Sequence, residues 1–246
     1  MFTIYWLLVL LSTAVAFLFF MYLRLGKFAQ FTFAETFWVI FPVFVISYLG
    51  SRLDIIIHDN ILLQHEYHLR NLFKLFFTDS GYGNGLGITF SIFSLFFITH
   101  GLIPENKFLP ALDKFIFLVS FCYIFGNLGC FFDGHLACRG IPTTMPWGCK
   151  YTFTTHPSIL PLHPLKLYYS IFFILLTLFL AVIKPLKNGK LYVIGMLIVL
   201  LFFYFMDFLR TNRYNFGLIS FRQLIYLLNA LLAGIFYFVK IKKSHK

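Results

Sequence analysis

Apolar positions recur along the chain in long stretches, and short segments that hold many of the basic residues separate them. A membrane-spanning helix needs about 20 predominantly apolar residues, and seven stretches reach or approach that length. The pattern therefore predicts an all-α integral membrane protein with about seven transmembrane helices. The predicted spans are Thr3–Leu23, Thr36–Ile57, Gly85–Leu102, Leu112–Phe132, Lys166–Ile183, Leu191–Leu209 and Phe221–Val239.

The two ends of the chain predict its orientation in the membrane. The first apolar stretch is longer than the apolar region of a signal peptide, and no small-residue cleavage site follows it, so we expect a retained helix. Basic residues accumulate in cytoplasmic segments, which places the C-terminal tail inside and, with seven spans, the N-terminus outside. That tail carries Lys240, Lys242, Lys243 and Lys246.

Two segments between the spans are longer than simple connections. Residues 58–84 mix leucine and phenylalanine with charged residues and histidines, an amphipathic pattern typical of a segment lying in the membrane interface. Residues 134–164 are rich in proline and predict a small irregular extracytoplasmic head. We expect residues 1–246 to form one polytopic membrane domain with these two additions.

Composition excludes a soluble protein. Apolar residues make up 60% of the chain and charged residues 12%, with a mean hydropathy of +0.83. Soluble domains have roughly 45–50% apolar and about 25% charged residues. The net charge is +11, but its basic residues lie between apolar stretches rather than on one surface, so we predict no nucleic acid partner. Anionic lipid head groups are a plausible partner of that charge.

The cysteines allow two interpretations. They could form two disulfides on an oxidising side of the membrane, or serve as small buried apolar residues, which the composition favours. Their spacing around His135 fits no common zinc site, so we predict no metal and no cofactor. The four cysteines are Cys122, Cys130, Cys138 and Cys149.

Polar residues near the outer ends of the spans are candidates for chemistry. A charge at the bilayer centre costs about 2.5–3.5 kcal/mol even on insertion scales, so each residue needs a partner or a wet cavity. One shared outward-facing cavity would explain them together; alternatively, each side chain extends alone to the interface. These residues are Arg52, Asp54, Asn127, Asp133, Asp207 and Arg210.

Short motifs follow one another along the chain in a recognisable order. A glycine-rich turn at residues 79–87 opens the third span, and its backbone N–H groups could bind phosphate or only allow close packing. The other motifs, the first of which precedes this turn, are Leu49-Gly50-Ser51-Arg52-Leu53, Gly126-Asn127-Leu128-Gly129-Cys130, Gly140-Ile141-Pro142-Thr143, Met145-Pro146-Trp147-Gly148, His163-Pro164-Leu165-Lys166-Leu167-Tyr168, Asp207-Phe208-Leu209-Arg210 and Gly217-Leu218-Ile219-Ser220-Phe221-Arg222-Gln223. Taken together and in this order, the motifs resemble those of the prolipoprotein diacylglyceryl transferase family. The pattern of that family includes L-G-A-R, G-R-x-G, G-x-P-T, H-P-T-Q-L-Y-E, E-F-x-R and G-x-L-S-x-x-Q.

The resemblance implies an enzyme of the bacterial inner membrane. Such an enzyme moves a diacylglyceryl group from phosphatidylglycerol to the lipobox cysteine thiol of a prolipoprotein, which it recognises at the signal peptide, and releases glycerol phosphate. A thiol with a pKa of about 8.5 needs a base or a positive field to react at pH 7. The leaving phosphate needs cations or N–H donors.

Position by position, the resemblance also implies site residues. Arg52 and Arg210 would bind the phosphate or hold carboxylates, Asp207 would orient Arg210, and His163 and Tyr168 would anchor the head on the next helix. The catalytic candidates are Tyr82, His135, Asp207 and Arg210. The substrate-binding candidates are Tyr5, Arg52, Gly85, Asn127, Gly129, Cys130, Asp133, His163 and Tyr168.

The chain departs from the family pattern at several positions. Tyr82 stands where the family usually has histidine, and His135 stands where it has glutamate. Asn127 and Phe203 replace arginines, which removes positive charge from the implied phosphate site. His135 could serve as the base, and Arg139, Lys150 or Arg222 could restore charge. The departures leave two alternatives open: a diverged lipid-modifying enzyme with another acceptor, and a non-catalytic membrane component that binds lipid or protein.

Overall fold

A computed structural model describes residues 105–134, 139–152, 157–183, 189–211 and 215–238, with isolated helical residues between 41 and 53. The described chain is mostly helical. Its elements are α1 (Glu105–Asp133), α2 (Leu165–Val182), α3 (Lys190–Met206) with a 3-10 turn at Asp207–Leu209, a two-residue hairpin of β1 (Asn215–Phe216) and β2 (Ile219–Ser220), and α4 (Phe221–Phe236).

Three of these helices are long and apolar enough to cross a membrane, namely α1, α2 and the helix formed by α3 with its 3-10 turn. The fourth, α4, is apolar but spans only 16 residues. Helix α2 begins at Leu165, one position before the predicted start, whereas α1 begins at Glu105 rather than Leu112. The predicted spans before residue 105 and the amphipathic segment 58–84 lie outside the described residues, apart from the helical positions between 41 and 53.

The core lies where α1, α2 and α3 pack together. Ile116, Phe173 and Phe203 are almost completely buried there. Gly195 permits the close approach of α3 to α1, because a Cβ atom at this position would lie 2.7 Å from Cγ1 of Ile116. The opposite face of α2 exposes large aliphatic side chains such as Leu175, as expected of a surface that faces lipid.

A carboxylate from α1 caps the first turn of α3. The Oδ2 atom of Asp113 accepts a hydrogen bond from the N–H of Gly189 at 2.9 Å, and Oδ1 accepts one from the N–H of Tyr192 at 3.0 Å. The first N–H groups of a helix have no partners within the helix, and a negative charge there also complements the helix dipole. This contact joins the start of α1 to the start of α3, at the end of the helices away from the head.

Candidate functional site

The head, residues 139–152 and 157–163 of the described chain, is held together by backbone pairing between extended segments. The N–H of Gly140 donates to the carbonyl of His163 at 3.0 Å, and the N–H of His163 donates to the carbonyl of Ile141 at 3.1 Å. Cys149 and Leu162 exchange two further hydrogen bonds of 2.9 and 3.0 Å. These bonds satisfy the backbone of a segment whose prolines prevent a helix.

The head is joined to the end of α3 through the same backbone. The N–H of Ile141 donates to the carbonyl of Leu209 at 2.8 Å, and Gly140 pairs with Arg210 in an antiparallel bridge. A Cβ atom on Gly140 would lie 2.6 Å from Cβ of His163 and 2.9 Å from the carbonyl oxygen of Leu209. Only glycine fits this position, which explains the first residue of the G-x-P-T motif.

Asp207 lies at the centre of the turn between α3 and α4. Its carboxylate accepts a hydrogen bond from the hydroxyl of Ser220, and the residue is 1% exposed. The same hydroxyl accepts from the N–H of Gln223 at 3.1 Å, while the Gln223 side chain accepts from the N–H of Ser220 at 2.8 Å. Ser220 and Gln223 thus form a capping box, which ties the start of α4 to Asp207.

Arg210 is a buried cation beside this turn. Its Nε atom lies 3.9 Å from Oδ1 of Asp207, its side chain hydrogen-bonds to Tyr169, and the residue is 8% exposed. Burial opposes its charge, but Tyr169, Tyr226 and Asp207 together outweigh that effect and raise the pKa of Arg210 above its ordinary value. The guanidinium is therefore a fixed positive charge at every physiological pH.

A second polar cluster joins the head to the first turn of α2. The indole N–H of Trp147 donates to the hydroxyl of Tyr168 at 2.7 Å, and that hydroxyl lies 3.1 Å from Nδ1 of His163. The hydroxyl can donate its own proton to the histidine while it accepts from the tryptophan. Tyr168 thus connects two segments of the head to a helix of the bundle.

The last turns of α1 form the third part of the site. Gly134 ends the helix with a φ of 62°, and its carbonyl accepts hydrogen bonds from Nε and an Nη atom of Arg139 at 2.9 and 2.7 Å. The Arg139 guanidinium lies 4.9 Å from the ring centroid of Tyr151. Asn127 is buried and donates to the carbonyl of Tyr123 at 2.7 Å, within its own helix.

The structure brings some of the predicted residues together. Asp207 lies beside Arg210, His163 lies beside Tyr168, and the Gly140 backbone bridges the two pairs. Gly129 and Cys130 lie with Asn127 in the last turns of α1. Outside the described residues lie Tyr5, Arg52, Tyr82, Gly85, His135 and the side chain of Asp133. One cavity shared by all the polar residues therefore stays a prediction.

Sequence reasoning gave no role to several residues that build the site, although three of them lie within the quoted motifs. These residues are Lys166, Tyr169, Ser220 and Gln223. The spacing S-x-x-Q before an apolar stretch is a helix-start signal that could have revealed the capping box. Cys122 and Cys149 are free thiols, so the four cysteines do not form two disulfides. In the described part of the chain, no group of three or more metal-ligating side chains is found.

Comparison with known proteins identifies a family and a relative. The sequence profile of the prolipoprotein diacylglyceryl transferase family matches residues 1–239. A phosphatidylglycerol–prolipoprotein diacylglyceryl transferase from Clostridium tetani is 35% identical over 134 residues, which cover 53% of this chain and 53% of that protein. The chain thus spans about half the length of the curated relative that it matches.

Proposed function

Because the chain belongs to the prolipoprotein diacylglyceryl transferase family, we propose that it transfers a diacylglyceryl group from phosphatidylglycerol to the lipobox cysteine of a prolipoprotein. In this reaction a thioether bond forms between the cysteine sulfur and the glyceryl carbon. The bond between that carbon and the phosphate oxygen breaks, glycerol phosphate leaves, and the thiol proton passes to a base. The reaction therefore requires a cation where negative charge collects on the leaving phosphate.

The observation that carries the proposal is the buried guanidinium of Arg210. It is held by Asp207 and Tyr169 where the head backbone meets the end of α3. A planar guanidinium can donate two parallel hydrogen bonds to a phosphate, and burial strengthens them by excluding water. Arg210 binds the phosphate of the lipid and stabilises the leaving group.

Asp207 acts as a positioning residue in this proposal. One carboxylate oxygen accepts from Ser220, and the other faces Arg210, so the carboxylate fixes the guanidinium rather than exchanging a proton with substrate. His163 and Tyr168 hold the head above the bundle. His135 or Tyr82 supplies the base.

The remaining candidates complete the substrate site in this proposal. Some of them line the part of the site that faces the lipid and the signal peptide. Others place backbone atoms close to the phosphate. These residues are Tyr5, Arg52, Gly85, Asn127, Gly129, Cys130 and Asp133.

The membrane arrangement follows the same proposal. Seven spans with the N-terminus outside and the C-terminus inside would place the head at residues 134–164 on the extracytoplasmic face of the inner membrane. Prolipoprotein signal peptides and phosphatidylglycerol meet at that face. The described helices support this arrangement, because Asp113 joins the helix ends near Lys190, while Arg210 and the head lie at the other end.

A complementation experiment tests the proposal. Expression of the chain in a bacterium depleted of its own diacylglyceryl transferase should restore growth, and purified protein in phosphatidylglycerol vesicles should modify a lipobox peptide. Arg210→Ala should abolish both. Release of glycerol phosphate without peptide modification would indicate another acceptor. If the protein inserts into the membrane but neither assay detects activity, the chain is a non-catalytic lipid-binding component.

A further inference from the structure

Lys166 carries a positive charge to which the proposed function assigns no role, and most of its side chain is buried. The residue lies in the first turn of α2 and is 6% exposed, although it stands at the start of an apolar helix. Its Nζ atom lies 5.4 Å from the ring centroid of Tyr169. Among the residues that the structure describes, Nζ donates no hydrogen bond and forms no salt bridge. A lysine whose side chain is mostly buried loses much of the water around its charge, and an anionic ligand would stabilise it.

Tyr169 links this ammonium group to the guanidinium already described. Its ring faces Nζ of Lys166, and its side chain hydrogen-bonds to Arg210. Two buried cations thus contact one tyrosine at the end of the bundle that carries the head. Two cations that contact one tyrosine form an arrangement that favours the binding of an anion.

The same tyrosine also contacts the position where the family pattern has an arginine that this chain lacks. The ring of Phe203 packs edge-on against the ring of Tyr169, with 5.3 Å between the centroids. The family pattern has glutamine at the position of Lys166. The chain has therefore lost a cation on α3 and carries one on α2, and the two positions contact the same side chain.

We propose that Lys166 is the second cation of the phosphate-binding site, where its ammonium group binds the same phosphate as Arg210. The inference rests on the proposed function for the identity of the lipid. The ammonium group neutralises the phosphate diester of the bound phosphatidylglycerol, and it binds more strongly still to the glycerol phosphate dianion that leaves. The phosphate gives Lys166 an anionic partner that none of the described residues provides.

Lipid binding by the purified full chain tests this inference independently of catalysis. Native mass spectrometry would measure retention of phosphatidylglycerol against phosphatidylcholine for Lys166→Met, Lys166→Arg and the matched control Lys190→Met. Lys190 also lies in the first turn of an apolar helix, but at the opposite end of the bundle. Loss of a charge-assisted hydrogen bond should weaken phosphatidylglycerol binding about tenfold or more in Lys166→Met. Lys166→Arg and Lys190→Met should bind nearly as the wild type does.

Thermal unfolding separates this role from a structural one. In phosphatidylcholine alone, Lys166→Met should unfold at the same temperature as the wild type or higher, because a charge on a mostly buried side chain, which no described residue pairs, has been removed. Phosphatidylglycerol should stabilise the wild type and not this variant. Equal destabilisation of Lys166→Met in both lipids, with unchanged lipid preference, would mean that Lys166 only packs on Tyr169 and would overturn the inference.

Soluble anions show which part of the phosphatidylglycerol molecule the site recognises. If inorganic phosphate or glycerol phosphate stabilises the wild type in phosphatidylcholine but not Lys166→Met, the phosphate alone suffices. If only phosphatidylglycerol does so, the acyl chains contribute as well. A protein that shows this Lys166-dependent binding but never modifies a lipobox peptide would refute the proposed transferase activity and leave the phosphate site standing.

Discussion

The hydroxyl of Ser220 donates a hydrogen bond to the carboxylate of Asp207 and simultaneously caps the first turn of α4. One side chain thus joins the end of α3 to the start of α4 across the β1–β2 hairpin. Gln223 adds a second connection, because its amide donates to the carbonyl of Tyr204 at 3.1 Å. The carboxylate that fixes Arg210 is therefore held by a helix start rather than by a flexible loop.

Replacing Ser220 by alanine should destabilise the protein by about 2 kcal/mol, because the helix loses its cap and buried Asp207 loses a donor. Chemical unfolding in detergent measures the difference. Thr211→Ala is the matched control, since Thr211 is exposed and should change stability by less than about 0.5 kcal/mol. Equal effects of the two substitutions would show that the Ser220 hydroxyl contributes nothing to stability.

Arg210→Lys should retain the buried charge but lose the planar pair of donors. We expect the rate of transfer at saturating phosphatidylglycerol to fall about tenfold or more, because the leaving phosphate loses a charge-assisted hydrogen bond. The unfolding temperature should change little, since Asp207 keeps a cationic neighbour. A lysine variant with wild-type turnover would show that charge alone suffices at this position.

Gly140→Ala should detach the head from the end of α3. Its new Cβ would meet the backbone of both His163 and Leu209, and we expect a loss of about 1–3 kcal/mol together with faster proteolysis of the head. Gly234→Ala serves as control, because a Cβ there meets no atom within 4 Å, and an alanine inside a helix should stabilise it slightly. Similar outcomes for the two glycines would contradict the packing argument.

Tyr168→Phe removes the hydroxyl that joins Trp147 to His163. The indole N–H then loses its partner, so we expect a cost of about 1 kcal/mol and a change in tryptophan fluorescence as the indole becomes mobile. Tyr237→Phe is the control, because no described residue hydrogen-bonds to that hydroxyl. Unchanged fluorescence in Tyr168→Phe would mean that packing alone positions Trp147.

Asp113→Ala should loosen the end of the bundle away from the head, because two N–H groups at the start of α3 lose their acceptor. The expected cost is about 1–2 kcal/mol, and Asp113→Asn should lose less, since it keeps one acceptor. Hydrogen exchange at Gly189 and Tyr192 measures the effect locally. Full protection of these amides in Asp113→Ala would exclude the capping role.

In the described part of the chain, the apolar stretches alone predicted the positions of the helices well. The start of α2 differs by one position, and the predicted Leu191–Leu209 matches α3 with its 3-10 turn. Helix spans in a membrane depend on hydrophobic length, which is local information, so one sequence suffices for them. The start of α1 was predicted less well, because its polar first turn extends beyond the apolar stretch.

The candidate site was predictable only in part. Sequence motifs identified Asp207 with Arg210 and His163 with Tyr168, pairs whose members are three and five positions apart. They did not reveal that Ser220 would hold Asp207, or that Lys166 and Arg210 would meet at Tyr169. The contacts of Ser220 with Asp207 and of Arg210 with Tyr169 join side chains on different elements, and packing decides them rather than propensity.

By itself, the sequence determined that this is a membrane protein, approximately where the helices of the described part lie, and to which family the chain belongs. Hydrophobic length and the order of motifs are properties of the linear chain. Only the tertiary structure decided which charges share a site. Burial, desolvation and the distances between side chains arise when separate helices pack together. Only that packing brings Arg210 to Tyr169, the residue that Lys166 contacts within α2.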